Sequence, residues 1–149
     1  QPMLKGLDPI LTPELLMHLC AMGHGEWVAV VDANFTADFL AKGKPVVRLP
    51  GLSLERVAQA VLSVFPLAVD VPQPAGYMQH SGLPVGQTTP AQAAFIELAC
   101  RLEGLAPEQV EPIERFAFYE RIAGASLIVQ SGEASAFGNA ILCKGVILP

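Results

Sequence analysis

The stretch MGHGEWVAVVDANF, residues 22–35, decides how the chain is read. Its centre, WVAVV, is an unbroken apolar run that reads as a strand. Because no polar residue alternates with the apolar ones, the strand is expected to be covered on both faces, as in an α/β sheet. The run ends at a carboxylate, Asp32. Just upstream, TPELLMHLCAMG (12–23) reads as a helix, with Thr12 as N-cap and Pro13 in the first turn. Gly23 is expected to take the left-handed position that ends it.

Further elements follow in both directions. PVVRLP (45–50) is a short strand, and SLERVAQAVLSVF (53–65) has helical apolar spacing behind Ser53 as N-cap. LAVDV (67–71) and AGYMQ (75–79) are two strand candidates around a proline-rich turn, and HSGLPVGQ (80–87) is a loop. TPAQAAFIELACRLEG (89–104) carries a capping-box pair, Thr89 and Gln92, with Pro90 in the first turn and Gly104 at the end. PEQVEPIERFAFYERIAG (107–124) reads as a short turn running into a helix that reaches about Ala123. SLIVQSGE is a strand, ASAFGN a loop, and AILCKGVIL a closing strand. Strands and helices interleave without a linker, which predicts a single α/β domain over residues 1–149, a central sheet with helices packed on it.

The bulk numbers fit one domain and narrow its partners. The 149 residues are 52% hydrophobic and 15% charged, with a net charge of −5. So apolar a composition on so short a chain points to burial between subunits, hence a homo-oligomer. The basic residues are scattered, so no nucleic-acid partner is expected. No apolar run is long enough to span a bilayer, so no membrane partner is expected either. The N-terminus lacks a basic segment followed by an apolar core, so no signal peptide is expected, and Met3 reads as the natural start. Three widely spaced cysteines, Cys20, Cys100 and Cys143, predict buried, reduced thiols in a cytoplasmic setting.

Few residues carry candidate chemistry. His24, between two glycines at a helix end, is either an acid/base group presented by a flexible turn or a surface histidine. Asp32 sits where open α/β sheets bind ligands, and is either a ligand-binding carboxylate or the cap of the next turn. Asn34 shares that position. Arg115 and Tyr119 are four apart on one helix face, suited to hold sugar or carboxylate oxygens, or simply packed on each other at the surface. Phe137, Gly138 and Asn139 form a glycine-containing turn. His18 and His80 have no partner at ligand spacing, so no metal site is expected. Cys20, within an apolar helix, is a poor nucleophile, and no nucleophile elbow, phosphate loop or dinucleotide fingerprint occurs.

Three boxes in order, LTPELLMHLCAMGHGEWVAVVDANF, ERFAFYER and FGNAILCKGV, make the chain resemble the RbsD/FucU family, and within it the L-fucose mutarotase branch. The likeness runs from Met3 to Pro149 and is weakest over residues 66–112. It implies an RbsD-like fold and an enzyme without a cofactor that interconverts the α and β anomers of a free monosaccharide. It implies a homodecamer with sites at subunit contacts. By position it makes His24 the catalytic histidine, with Asp32 beside it. It makes Asp32 and Arg115 sugar-binding residues, joined by Phe137, Gly138 and Asn139; Tyr119 is added as the neighbour of Arg115. On this reading the glycines free the turn that brings His24 to meet Asp32. The alternative is a sugar-binding or transport-accessory protein of the same family without catalysis. Two departures stand out: Phe137 occupies a position usually filled by Tyr, and Asn34 one often filled by His. A missing hydroxyl removes one hydrogen bond or one proton-transfer group.

Overall fold

The apolar run becomes the strand at the middle of the molecule. The computed structural model describes residues 4–149, so Met3 lies outside the described residues. The strands are β1 (Trp27–Val31), β2 (Val46–Leu49), β3 (Ala75–Met78), β4 (Val110–Ile113), β5 (Ala125–Ser131) and β6 (Ala140–Cys143). They form one mixed sheet in the order β2-β5-β1-β6-β3-β4. β1 pairs in parallel with β5 and antiparallel with β6.

Two-sided cover of β1 is realised by two separate cores. Val28 and Val30 point into one, with Leu15, Leu19, Leu54, Val57, Phe95 and Leu98. Ala29 and Val31 point into the other, with Ala37, Ala41, Phe118 and Ile122. The first core is closed by helices α1 (Pro13–Ala21), α3 (Leu54–Leu62) and α4 (Pro90–Glu103), the second by α2 (Ala37–Ala41) and α5 (Arg115–Ala123). Phe95 and Phe118, one in each core, are fully buried. Burying a side chain of that size contributes about 1.5–3 kcal/mol. Among the described residues, no helix is long and apolar enough to cross a membrane.

Local rules explain most element ends. Thr12, Ser53 and Thr89 each accept a backbone N–H as N-caps. The Thr89–Gln92 capping box forms in both directions, and Gly104 takes a left-handed φ of 67°. Several expectations are corrected. α1 ends on an extended Met22, and Gly25, not Gly23, takes the positive φ. LAVDV, flanked by Pro66 and Pro72, makes only an isolated bridge, Leu67 to Lys144. Residues 110–113 form β4, a strand inside what reads as turn and helix. The edge position lets Pro112 stand in it without losing a needed donor. The short helix α2 has no clear signal in the sequence, and β6 stops at Cys143 rather than running to the terminus. Cys143 is buried, but Cys100 is only partly so and Cys20 is exposed on the outer face of α1.

Gly132, at the end of β5, meets the turn after β2. Its N–H donates to Leu52 O at 2.7 Å, and an added Cβ would lie 2.3 Å from the Gly51 nitrogen. Gly132→Ala should therefore lower stability by about 1–3 kcal/mol, read as a lower denaturant midpoint.

Candidate functional site

A pocket of about 440 Å³ opens where β1 ends. That volume suits a small ligand. Its lining comes from separated segments: Asp32, Asn34, Phe35 and Thr36 after β1, Met78 at the end of β3, Arg115 and Tyr119 on α5, and Phe137 and Asn139 before β6. Ala134 and Ala136 complete the wall. The sheet order explains the convergence. β5 runs parallel to β1 and exits on the same side, and β6 enters there.

Asp32 satisfies both readings at once. Its Oδ1 accepts the Asn34 N–H at 3.0 Å, the turn-capping role, and its side chain lines the pocket. Its own N–H donates to Asn139 Oδ1 at 2.7 Å. Burial pushes the carboxyl above its ordinary value of 3.8, opposed by hydrogen bonds from the Asn34 backbone, the Asn139 side chain and the backbone of Gly138 and Phe35. Gly138 packs against the Glu133 side chain and lies beside Asp32. A Cβ there would lie 2.8 Å from Glu133 Cγ and 3.6 Å from Asp32 Cβ.

Arg115 and Tyr119 pair as their spacing predicts, with Arg115 Nε donating to Tyr119 OH at 3.0 Å. Among the described residues, no other protein acceptor takes a hydrogen bond from this guanidinium. Arg115 is also the first residue of α5, where the helix dipole disfavours a cation. The remaining N–H groups are thus available to oxygens in the pocket. Phe137 adopts φ 60°, a left-handed conformation that costs a bulky residue of order 1–3 kcal/mol. Asn139 is 3% exposed, and its amide is engaged with Asp32 and with Met78 Sδ at 3.8 Å. It orients Asp32 more than it offers groups to a ligand. Asn34 is exposed at the rim.

His24 is elsewhere. It precedes β1, whereas Asp32 follows it, and a five-residue strand spans roughly 17 Å. The expected meeting of His24 and Asp32 is therefore not made within one chain. His24 Nε2 instead faces Asp70, at 3.0 Å from Oδ2. The His24 hydrogen bond, with the Asp70 backbone N–H second, holds the Asp70 carboxyl below its ordinary value. Gly25 provides the turn, at φ 87°, its N–H donating to Lys144 O. Sequence reading missed Met78, Phe35 and Thr36 as lining residues, since nothing in their types signals a site. It also left His80 unassigned, although its ring packs 4.3 Å from that of Phe137. Among the described residues no cluster of His, Cys, Asp or Glu is grouped to hold a metal.

The chain matches the RbsD / FucU transport protein family over residues 5–147. It is 38% identical over 148 residues to a protein from Danio rerio named fucose mutarotase, covering 98% of this chain and 95% of that one. It superimposes on FucU from Bifidobacterium longum with a TM-score of 0.88 at 36% identity, covering 97% and 100% of the two chains. A fucose mutarotase from Streptococcus pneumoniae, solved in complex with L-fucose, gives a TM-score of 0.84 at 28% identity over the same shares.

Asp32 allows a signed test. Its native pKa is raised, so the folded chain holds that proton more tightly than the unfolded chain. Its contribution to stability is full below the ordinary carboxylate value and is lost as pH rises through the raised one. Asp32→Asn, which keeps an acceptor for Asn34, should remove this loss. Melts from pH 3 upward should show the variant at least as stable as the native protein at neutral pH.

Proposed function

The chain belongs to the RbsD/FucU transport protein family, and from that premise we propose that it is a sugar mutarotase, an isomerase interconverting the α and β anomers of L-fucose or a related pyranose. One observation carries the reading. Asp32, a carboxylate with a raised pKa, shares a monosaccharide-sized pocket with the uncommitted N–H groups of Arg115. The similarity to proteins named fucose mutarotase, one of them solved with L-fucose, supports the sugar assignment.

Mutarotation needs no net redox change. One group protonates the ring oxygen, another removes the proton of the anomeric hydroxyl, the C1–O5 bond breaks, and the aldehyde closes on its other face. In the proposed scheme Asp32 accepts hydrogen bonds from sugar hydroxyls and exchanges protons with them. Arg115 donates to hydroxyl oxygens, and Tyr119 fixes its fork. The Phe137–Asn139 turn shapes the opposite wall.

His24 is the proposed acid/base group. Since β1 separates it from Asp32 in one chain, that role requires the imidazole to reach this pocket from a second copy. The proposed assembly is accordingly a homo-oligomer, a decamer, in the cytoplasm, with sites at subunit contacts. Large apolar side chains exposed on the single chain, among them Phe39, Phe116 and Ile147, support such burial. The position of His24 also favours a second reading, sugar binding without catalysis.

Anomer-exchange NMR over a panel of monosaccharides separates the two readings. L-Fucose should exchange faster with the native protein than in buffer, and binding without exchange would reject the mutarotase. His24→Ala should slow exchange by about two orders of magnitude or more. Mixed oligomers of His24→Ala and Asp32→Asn subunits should regain part of the rate, since some pockets then combine two intact residues. No recovery, with the subunits shown to mix, would reject a shared site.

Restoring the hydroxyl at position 137 is a smaller test. Phe137→Tyr should raise kcat/KM for L-fucose a few-fold to about tenfold, the size of one neutral hydrogen bond. An unchanged or lower value would show that the hydroxyl is not missed here.

A further inference from the structure

We infer that His80 and Gln92 are positioning residues that hold Phe137 as the apolar wall of the pocket, against which the C–H face of the sugar packs. The inference rests on the pocket being a sugar site and extends it to two residues outside the lining.

A phenylalanine with φ 60° keeps that conformation only if its surroundings impose it. Two elements do so. Gln92, completely buried in α4, donates from Nε2 to Phe137 O at 2.7 Å and to Met78 O at 2.6 Å. Both acceptors belong to pocket-lining residues. Its Oε1 meanwhile accepts the Thr89 N–H at 3.1 Å to complete the capping box. For the helix alone a glutamate would serve as well, since it caps equally and suits the dipole. Only the amide has donors to spare for two carbonyls. Burial already disfavours a charged glutamate here, and the clamp gives the amide donors their use.

The second element is the loop 80–87. His80 packs its ring on Phe137 with centroids 4.3 Å apart and planes tilted by 35°. His80 is not among the lining residues, so it touches the ring from outside the pocket. Its Nδ1 accepts the Gly82 N–H at 2.9 Å, which fixes the ring orientation and, in the neutral imidazole, leaves the proton on Nε2. The loop is in turn gathered around the buried amide of Gln79. Its Oε1 accepts the Gly86 N–H at 3.0 Å, and its Nε2 lies 3.1 Å from both His80 O and Pro84 O. Phe137 is thus held by its carbonyl from α4 and by its ring from a braced loop. An aromatic ring held flat is a suitable surface for the C–H groups of a pyranose.

The test reads the wall directly. Protein carrying protonated phenylalanine in a deuterated background is titrated with L-fucose, and saturation transfer from Phe rings to sugar C–H protons is recorded alongside anomer exchange. Transfer should be strong in the native protein and should fall in Phe137→Leu to the part that Phe35, the other phenylalanine of the lining, supplies. His80→Ala should weaken transfer and raise the KM for exchange about two- to tenfold, the scale of one lost aromatic pair, with kcat within about twofold. His80→Phe should restore both in part, since it returns the ring contact without the acceptor for the Gly82 N–H. Gln92→Glu sets a buried carboxyl against two carbonyl oxygens, so it should weaken transfer and raise KM at least as much as His80→Ala and also lower the melting temperature. A His80→Ala protein with native transfer and native KM would overturn the inference, as would a defect that His80→Phe fails to rescue. A native protein that binds and transfers saturation to L-fucose without exchanging its anomers overturns the mutarotase reading and still supports the wall.

Discussion

The site depends on Asp32 being the first polar residue after a strand enclosed on both faces. From Val28 to Val31 every side chain of β1 enters one core or the other. A carboxylate anywhere in that run would be buried without water or a counter-charge, at a cost of several kcal/mol. At Asp32 the sheet ends and the backbone of the following turn can meet the charge. Burial still raises its pKa, and the surrounding N–H groups limit the rise. What results is a carboxyl group held to a fixed place by Asn139, which is itself the residue before β6.

The same mouth gathers features that work against stability. A cation sits at the N-terminus of α5, and a phenylalanine occupies a left-handed backbone conformation. Gly138 leaves no room for a Cβ beside the Glu133 side chain. None of these helps the fold locally, and all of them face or border the pocket. Buried amides supply the compensation. Gln92, Gln79 and Asn139 are buried polar residues that each bond to backbone groups of this region. Polar networks of this kind rigidify when fully satisfied, and no buried side-chain nitrogen or oxygen is left without a partner among the described residues.

The opposite end of β1 is built differently. His24 and Asp70 are both about half exposed, with side-chain exposures of 46% and 57%. An exposed pair of this kind is screened by solvent and adds little to stability. The turn that carries it is nevertheless well anchored. Gly25 bonds to Lys144 O, and Lys144 Nζ reaches Leu19 O and Met22 O at the end of α1. A firmly held turn thus presents an accessible imidazole to its surroundings.

Much of this was legible in the sequence because it follows from local rules. Unbroken apolar character marked β1, and caps at Thr12, Ser53 and Thr89 marked three helices. Four-residue spacing brought Arg115 to Tyr119, and a carboxylate after a buried strand marked Asp32. What escaped has one physical cause, the dependence of a residue's role on neighbours distant in the chain. β4 exists because β3 offers it an edge, although its own Pro112 argues against a strand. Gln92 looked like a complete capping residue, and only the packing of α4 on the sheet shows that its spare donors reach Phe137, 45 positions away. His80 lacked any partner at ligand spacing, yet the folded loop lays it on Phe137. The direction of β1 separates His24 from Asp32, since residues that flank a straight strand face opposite ends of the sheet however close they stand in sequence.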